Sequence, residues 1–308
     1  MMTPPSFSAS ASAAADFPLA VGPAMMCILG MFVVTLLANP QKERLTQMQV
    51  DATARELAAQ EVRWLEAGIA CEFITNHEPR TTGHDGFDIL IQPYPKPRYR
   101  LFVADMESTI IENECLDELA EYLGIRPKIE AITARAMNGE LDFASALAER
   151  VGLLAGLPES TLQEVYDQKV RLMPGAEALL AHLKSQGIHT MLVSGGFSFY
   201  TSRIKERLGF DEERSNRLEI VDGKLTGQVL PPILDKNAKL AALMDGCKKL
   251  GTSPAQVIAI GDGANDLPML LAAGLGIAYH AKPSVCAQVK AQLNHCDLSG
   301  LIFAITAV

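Results

Sequence analysis

Three short apolar runs, far apart in the chain, each break off into acids, hydroxyls and glycines. Leu101-Phe102-Val103-Ala104 leads into Asp105-Met106-Glu107-Ser108-Thr109. His189-Thr190-Met191-Leu192-Val193 leads into Ser194-Gly195-Gly196. Val257-Ile258-Ala259-Ile260 leads into Gly261-Asp262-Gly263-Ala264-Asn265-Asp266. Short runs of this kind suit strands buried on both faces of a parallel sheet. In open α/β sheets ligands bind beyond the carboxyl ends of the strands. Three such ends carrying Asp, Glu, Ser, Asp and Asn therefore predict one shared polar site.

Around these runs, strand patterns alternate with helical ones from residue 98 to residue 308, which predicts a doubly wound, mostly parallel α/β sheet. After strand 100–104 comes a helix near 112–123, with Cys115, Leu116, Leu119 and Leu123 on one face. Helical segments 128–139, 143–154 and 160–172 follow with no strand between them. That insertion, about 112–173, reads as a helical cap over the strand ends. Pro174-Gly175 marks the return to the core. Helix 176–185, strand 188–193 and helix 198–208 come next. Segments 217–221 and 224–229 flank Asp222-Gly223, a type I′ hairpin signal. Asn237 is expected to cap a helix running to Leu250. Strand 257–260, helix 266–273, strand 275–279 and a final helical segment end the domain.

Residues 31–97 read as a small α+β accessory unit in the order β-α-β-β. Strand 32–37 is expected before a long helix, 43–66, closed by Gly68; strands 69–74 and 87–92 follow. Pro93, Pro95 and Pro97 mark the linker. Residues 1–30 read as a Ser/Ala/Pro-rich disordered extension, or as sequence upstream of a true start at Met31. Residues 19–38 form an apolar run of the length that spans a bilayer, about 20 residues. No Lys or Arg precedes the run, Gly22-Pro23 and Gly30 interrupt it, and its β-branched end suits a strand. A cytoplasmic protein is therefore expected, with a membrane anchor through 19–38 as the alternative.

Composition narrows the function. With 27 basic and 36 acidic side chains the net charge is −9, and no basic stripe is present, so nucleic-acid binding is not expected. The six cysteines form no CxxC pair, and the six histidines no HxH or HxxxH pair, so a zinc-type site is not expected either. Oxygen ligands remain. Asp105 and Asp262 suit Mg²⁺, which accepts a few carboxylates and pairs with phosphate. A carboxylate nucleophile can form an aspartyl-phosphate, and a second carboxyl two residues on can serve as acid and base. Ser194 with the Gly195-Gly196 backbone can receive an anion. Lys239, near a helix start where the helix dipole disfavours a cation, makes sense if it serves an anion. Each motif alone has a plainer reading: DxE a helix cap, SGG a turn, Lys239 a solvated lysine.

Together, and in this order, they resemble the haloacid-dehalogenase (HAD) phosphatase superfamily. ECLDELAEYLGI, MNGELDFASALAERVGLL, VSGGFSFY, NRLEIVDGKLTG, KNAKLAAL and IGDGANDLPML look like the phosphoserine phosphatase family within it. The resemblance implies a HAD-like Rossmannoid fold, Mg²⁺ as cofactor and O-phospho-L-serine as a small-molecule substrate. It implies Asp105 as nucleophile and Glu107 as proton donor and base. Asp105, Asp262 and the Glu107 carbonyl would hold the metal. Ser194, Gly195, Gly196, Lys239 and Asn265 would bind phosphate, and Asp266 would position Lys239. In the cap, Glu114 would take the substrate ammonium, Arg150 its carboxylate, and Met137 and Phe143 would line the lid. The accessory unit resembles ACT-like ligand-binding modules, and homodimerisation stays open. One departure stands out: Glu107 replaces the usual Asp. It moves the carboxyl by about 1.5 Å, one covalent bond. Alternatives are a phosphatase or phosphotransferase for another small phospho-compound, such as phosphohomoserine, or a catalytically impaired phospho-ligand sensor.

Overall fold

The computed structural model describes residues 30–79, 86–138, 140–234 and 236–306. The expected disordered extension falls, but for Gly30, outside the described residues. The N-terminal unit comprises β1 (Phe32–Ala38), α1 (Gln47–Glu56), β2 (Glu61–Glu66), β3 (Ala70–Thr75) and β4 (Phe87–Pro93). Its sheet is antiparallel throughout, in the order β2-β3-β1-β4. Thr46 and Gln49 form a capping box that starts α1.

The long helix expected over 43–66 is corrected here. It stops at Glu56, Ala58 takes a positive φ of 46°, and β2 occupies the rest. β2 is an edge strand, so polar residues on its solvent side mimic the wet face of a helix. Its Val62 and Trp64 pair with Phe73 and Cys71 instead. Gly68, with φ 76°, turns β2 into β3 and caps no helix.

The cap follows β5 (Leu101–Ala104) and consists of α2 (Cys115–Tyr122), α3 (Arg126–Met137), α4 (Phe143–Gly152) and α5 (Glu159–Lys169). The segments that enter and leave the cap are joined to each other. Ile111 bridges Leu172, Glu112 N donates to Arg171 O at 2.9 Å, and Met173 N donates to Ile110 O at 2.9 Å. The core then resumes with α6 (Ala176–Ser185), β6 (His189–Phe197), α7 (Ser198–Leu208), β7 (Glu212–Val221) and β8 (Lys224–Leu230). It ends with α8 (Lys236–Leu250), β9 (Val257–Gly261), α9 (Leu267–Ala272), β10 (Leu275–Tyr279), α10 (Pro283–Cys286), β11 (Ala291–Leu293) and α11 (Gly300–Ile305).

The strand order is β11-β10-β9-β5-β6-β7-β8, parallel except for the β7–β8 pair. β5 is central, flanked by β6 on one side and β9 on the other, which makes its end the topological switch point. β5 and β9 are buried along their whole length. One sheet face packs Leu101, Val103, Val257 and Ala259 under α8 and α9; the other packs Phe102, Ala104, Ile258 and Ile260 under α6 and α7.

Asp222 and Gly223 have φ of 49° and 71°, as a type I′ turn requires. This hairpin reaches the cap: Glu159 N donates to Gly223 O at 2.9 Å, and Leu157 and Leu225 join main chains at 2.8 Å. Two details differ from expectation. β7 begins early, at Glu212, because parallel pairing with β6 recruits a polar stretch. Asn237 lies inside α8, which starts at Lys236, rather than ahead of it. Phe32–Ala38, the second half of the apolar run, is a strand between β3 and β4. Among the described residues no helix is long and apolar enough to cross a membrane.

Candidate active site

The end of β5 delivers Asp105. Its N–H continues the ladder by donating to Ile260 O at 3.0 Å, and Met106 N donates to its Oδ1 at 2.8 Å. The chain then coils tightly: Ile110 N and Ile111 N both donate to Met106 O, at 2.8 and 3.0 Å. Ser108 takes a left-handed φ of 54° within this loop. From α8, Lys239 Nζ reaches Asp105 Oδ1 at 2.7 Å and Asp266 Oδ1 at 2.6 Å. The other Asp266 oxygen accepts from Gly263 N at 2.9 Å. Lys239 is only 3 % exposed, so the solvated-lysine reading fails.

Carboxylate oxygens of Asp105, Asp262 and Asp266 lie within 4.8 Å of one another. Burial first, and Asp266 second, hold Asp105 well above the ordinary carboxylate range. The same two causes push Asp262 up to about 6. Burial alone would lower Lys239, but Asp105 and Asp266 more than offset it and keep the ammonium charged. Three acids thus face one buried cation, and Asp266 is already committed to Lys239 and Gly263. Asp105 and Asp262 remain as hard oxygen donors with surplus negative charge, a set that fits Mg²⁺.

β6 delivers Ser194, buried, whose Oγ accepts from Gly196 N at 2.9 Å. A Cβ on Gly196 would stand 2.9 Å from Glu107 Oε2 and 3.1 Å from Ser194 Oγ, so a side chain there would collide with the site. A Cβ on Gly195 would meet Phe143 Cζ at 3.8 Å, which puts this cap ring over the SGG turn. Asn265, exposed at the end of β9, packs its Oδ1 against Gly263.

Glu107 Oε1 accepts from Cys115 N at 2.8 Å. Burial first, then repulsion from Glu114, push its carboxyl up to about 7. Glu114 stands at the N-cap position of α2 but makes no capping bond; its Oε1 accepts from Ser108 Oγ at 2.9 Å. Arg150, on α4, is half-buried and donates from Nε to Ala146 O at 3.2 Å. Burial lowers its pKa while Asp117, Glu107 and Glu114 draw it back up, so it feels the same site. Among the described residues it forms no ion pair. Met137 ends α3, and its side chain lies outside the described residues.

One supporting residue was missed in the sequence. Asn216, fully buried, donates from Nδ2 to Gly195 O at 2.7 Å and accepts at Oδ1 from Leu234 N at 2.8 Å. It ties the SGG turn to the segment leading into α8. An Asn just before the hairpin's apolar alternation was its only signal.

The core fold and this cluster have known counterparts. The haloacid dehalogenase-like hydrolase family matches residues 102–271, and the chain belongs to that family. Its likeness is to phosphoserine phosphatases in particular. The phosphoserine phosphatase of Polaromonas sp. is 46 % identical over 209 residues, covering 66 % of this chain and 89 % of that one. A probable phosphoserine phosphatase from Vibrio cholerae, solved unliganded, superposes with a TM-score of 0.73 at 32 % identity. That match covers 90 % of this chain and 87 % of the other. A HAD family hydrolase from Salmonella enterica serovar Typhi gives a TM-score of 0.76 at 33 % identity, covering 89 % and 98 %.

Proposed function

We propose that this chain is a phosphoserine phosphatase, hydrolysing O-phospho-L-serine to L-serine and phosphate as the last step of L-serine biosynthesis. The observation that carries the reading is the buried group Asp105, Lys239, Asp262 and Asp266 at the switch point, beneath a cap that offers Glu114 and Arg150. Asp105 attacks phosphorus, and the bond from phosphorus to the seryl oxygen breaks. Glu107, whose carboxyl burial pushes up to about 7, is the acid that gives a proton to that oxygen. The resulting carboxylate then takes a proton from water, whose oxygen attacks the aspartyl-phosphate and frees phosphate and Asp105. Lys239, Ser194 and the Gly195-Gly196 backbone hold the phosphoryl oxygens; Lys239 also orients Asp105 through Oδ1. Glu114 and Arg150 match the ammonium and carboxylate of an amino acid, the arginine through its planar fork. Asp105, Asp262 and the Glu107 carbonyl would hold Mg²⁺, which supplies charge neutralisation for the phosphoryl group. A cytoplasmic setting belongs to the same proposal, since the five described cysteines are all free thiols.

Phosphate release from O-phospho-L-serine with Mg²⁺ tests this directly. Turnover is expected, and Asp105→Asn and chelation by EDTA should each abolish it. Absence of turnover in the unaltered protein, or near-normal turnover in Asp105→Asn, would overturn the reading.

A further inference from the structure

The backbone of Cys115, the first residue of cap helix α2, is a positioning element for the catalytic acid: we propose that its N–H holds the Glu107 carboxyl in place for proton transfer, and that this is how a glutamate serves where an aspartate would be too short to reach. The inference rests on the acid/base role of Glu107 given above.

Three observations converge on it. First, Cys115 N donates to Glu107 Oε1 at 2.8 Å, from a residue that is fully buried. The first N–H groups of a helix have no partner inside the helix. Second, the residue that should cap α2 does not: Glu114 makes no capping bond and is held by Ser108 Oγ at 2.9 Å. The helix start is thus served by a carboxylate from the core domain, while Glu114 stays available to a ligand. Third, the other Glu107 oxygen lies where a Gly196 side chain would begin, 2.9 Å from that Cβ position. Glu107 therefore spans from the SGG turn of the core to the first turn of the cap. An aspartate, shorter by about 1.5 Å, would leave the Cys115 N–H without this acceptor. Misplacement of a catalytic group by about 1 Å can cost roughly 10²-fold in rate.

A proline at position 115 removes this single N–H with little disturbance to the helix. Proline is favoured at the first helical position, and Glu114 already has an extended backbone (φ −98°, ψ 102°), about 20° in ψ from the range a residue before proline adopts. Cys115→Ala is the reference, because it loses the same thiol and keeps the amide. Cys115→Pro should lower kcat for phosphoserine about tenfold or more relative to Cys115→Ala, with KM within about twofold. In the Glu107→Asp background, where the bond is already gone, the two substitutions should differ by less than about twofold. Equal kcat for Cys115→Pro and Cys115→Ala, or the same ratio in both backgrounds, overturns the proposal. Amide hydrogen exchange gives a second test that needs no proline variant. The Cys115 amide should be protected in the unaltered protein and exchange at least about tenfold faster in Glu107→Ala. An unchanged exchange rate overturns the proposal as well. Failure of the acid/base assignment itself would look different: Glu107→Gln would then retain near-normal turnover.

Discussion

Lys239 enters α8 where a lysine is electrostatically unwelcome, and 3 % exposure leaves it no solvent to compensate. Its place is explained by Asp105 and Asp266 at 2.7 and 2.6 Å. Removing one partner of a buried ionic group costs about 3–5 kcal/mol, because the remaining charges stay desolvated. Lys239→Met should therefore lower the melting temperature of the metal-free protein, and Mg²⁺ should restore part of the loss by taking over the carboxylates. Loss of a preorganised positive charge at the phosphoryl group should also cut kcat roughly 10²–10³-fold. Thermal melts with and without Mg²⁺, beside phosphate-release assays, check both; a melt indifferent to the substitution would mean that the ammonium does not balance this cluster. Gly196 gives a subtler case. A methyl there lands 2.9 Å from Glu107 Oε2, so Gly196→Ala should displace the acid and reduce kcat at least about tenfold. Turnover equal to that of the unaltered protein would show that the carboxyl can step aside at no cost. The acids and Lys239 were legible in the sequence because each stands just past a buried strand or at a helix start. The Cys115 N–H was not, since every residue but proline carries one and only the fold says which N–H meets an acid.

Whole elements divide the labour between core and cap. β5, β6 and β9 bring Asp105, Ser194 and Asp262, the groups proposed to act on phosphate, while α2 and α4 bring Glu114 and Arg150, and the segments bridged at Ile111 and Leu172 join core to cap. Arg150 has no ion-pair partner among the described residues, as suits a group reserved for a ligand carboxylate. Arg150→Ala should accordingly raise KM for phosphoserine by about 10²-fold, the order of 2–3 kcal/mol for a charge-assisted pair. A phosphate ester lacking a carboxylate, such as p-nitrophenyl phosphate, should change by less than about threefold. Equal changes for both substrates would remove Arg150 from carboxylate recognition. Elements were readable where burial is two-sided or the turn chemistry is strict: β9, β10, α7 and the Asp222-Gly223 hairpin all lie close to their expected bounds. β2 and the start of β7 were not, because edge pairing and parallel recruitment let polar residues adopt strand geometry. β11, three residues long, exists only through its pairing with β10.

At the scale of the molecule, the N-terminal sheet has one helix of its own, and only one of its faces is covered by it. α1 packs on Val34, Leu36, Phe73 and Ile89. On the opposite side Leu37, Ala70 and Leu90 join Leu298, Leu301 and Ala304 of the catalytic domain, so α11, from the far end of the chain, closes the sheet. Buried polar groups fix that docking. Glu72, 2 % exposed, pairs with Arg63 and Lys96, and Lys96 Nζ also donates to Phe303 O at 2.9 Å and Thr306 O at 3.2 Å. Asp88, in β4, accepts from three successive backbone amides across the junction: Asn294 N at 2.7 Å, His295 N at 3.0 Å and Cys296 N at 2.7 Å. Asp88→Ala would strand three N–H groups in a site where the carboxylate is 3 % exposed. Buried donors left without acceptors cost about 1–3 kcal/mol apiece when no water reaches them. Partial hydration of the new cavity argues for about 3 kcal/mol in total, or roughly 5 °C in melting temperature for a chain of this size. Glu78→Ala is the matched control, since the Glu78–Lys290 pair at 2.6 Å spans the same junction with both side chains at least half exposed. Surface pairs of that kind contribute about 0–1 kcal/mol, so its melt should move by no more than about 2 °C. Calorimetry of the two variants decides the matter: equal shifts would mean that the amides find water as readily as they found Asp88, and that apolar packing against α11 alone holds the two units together.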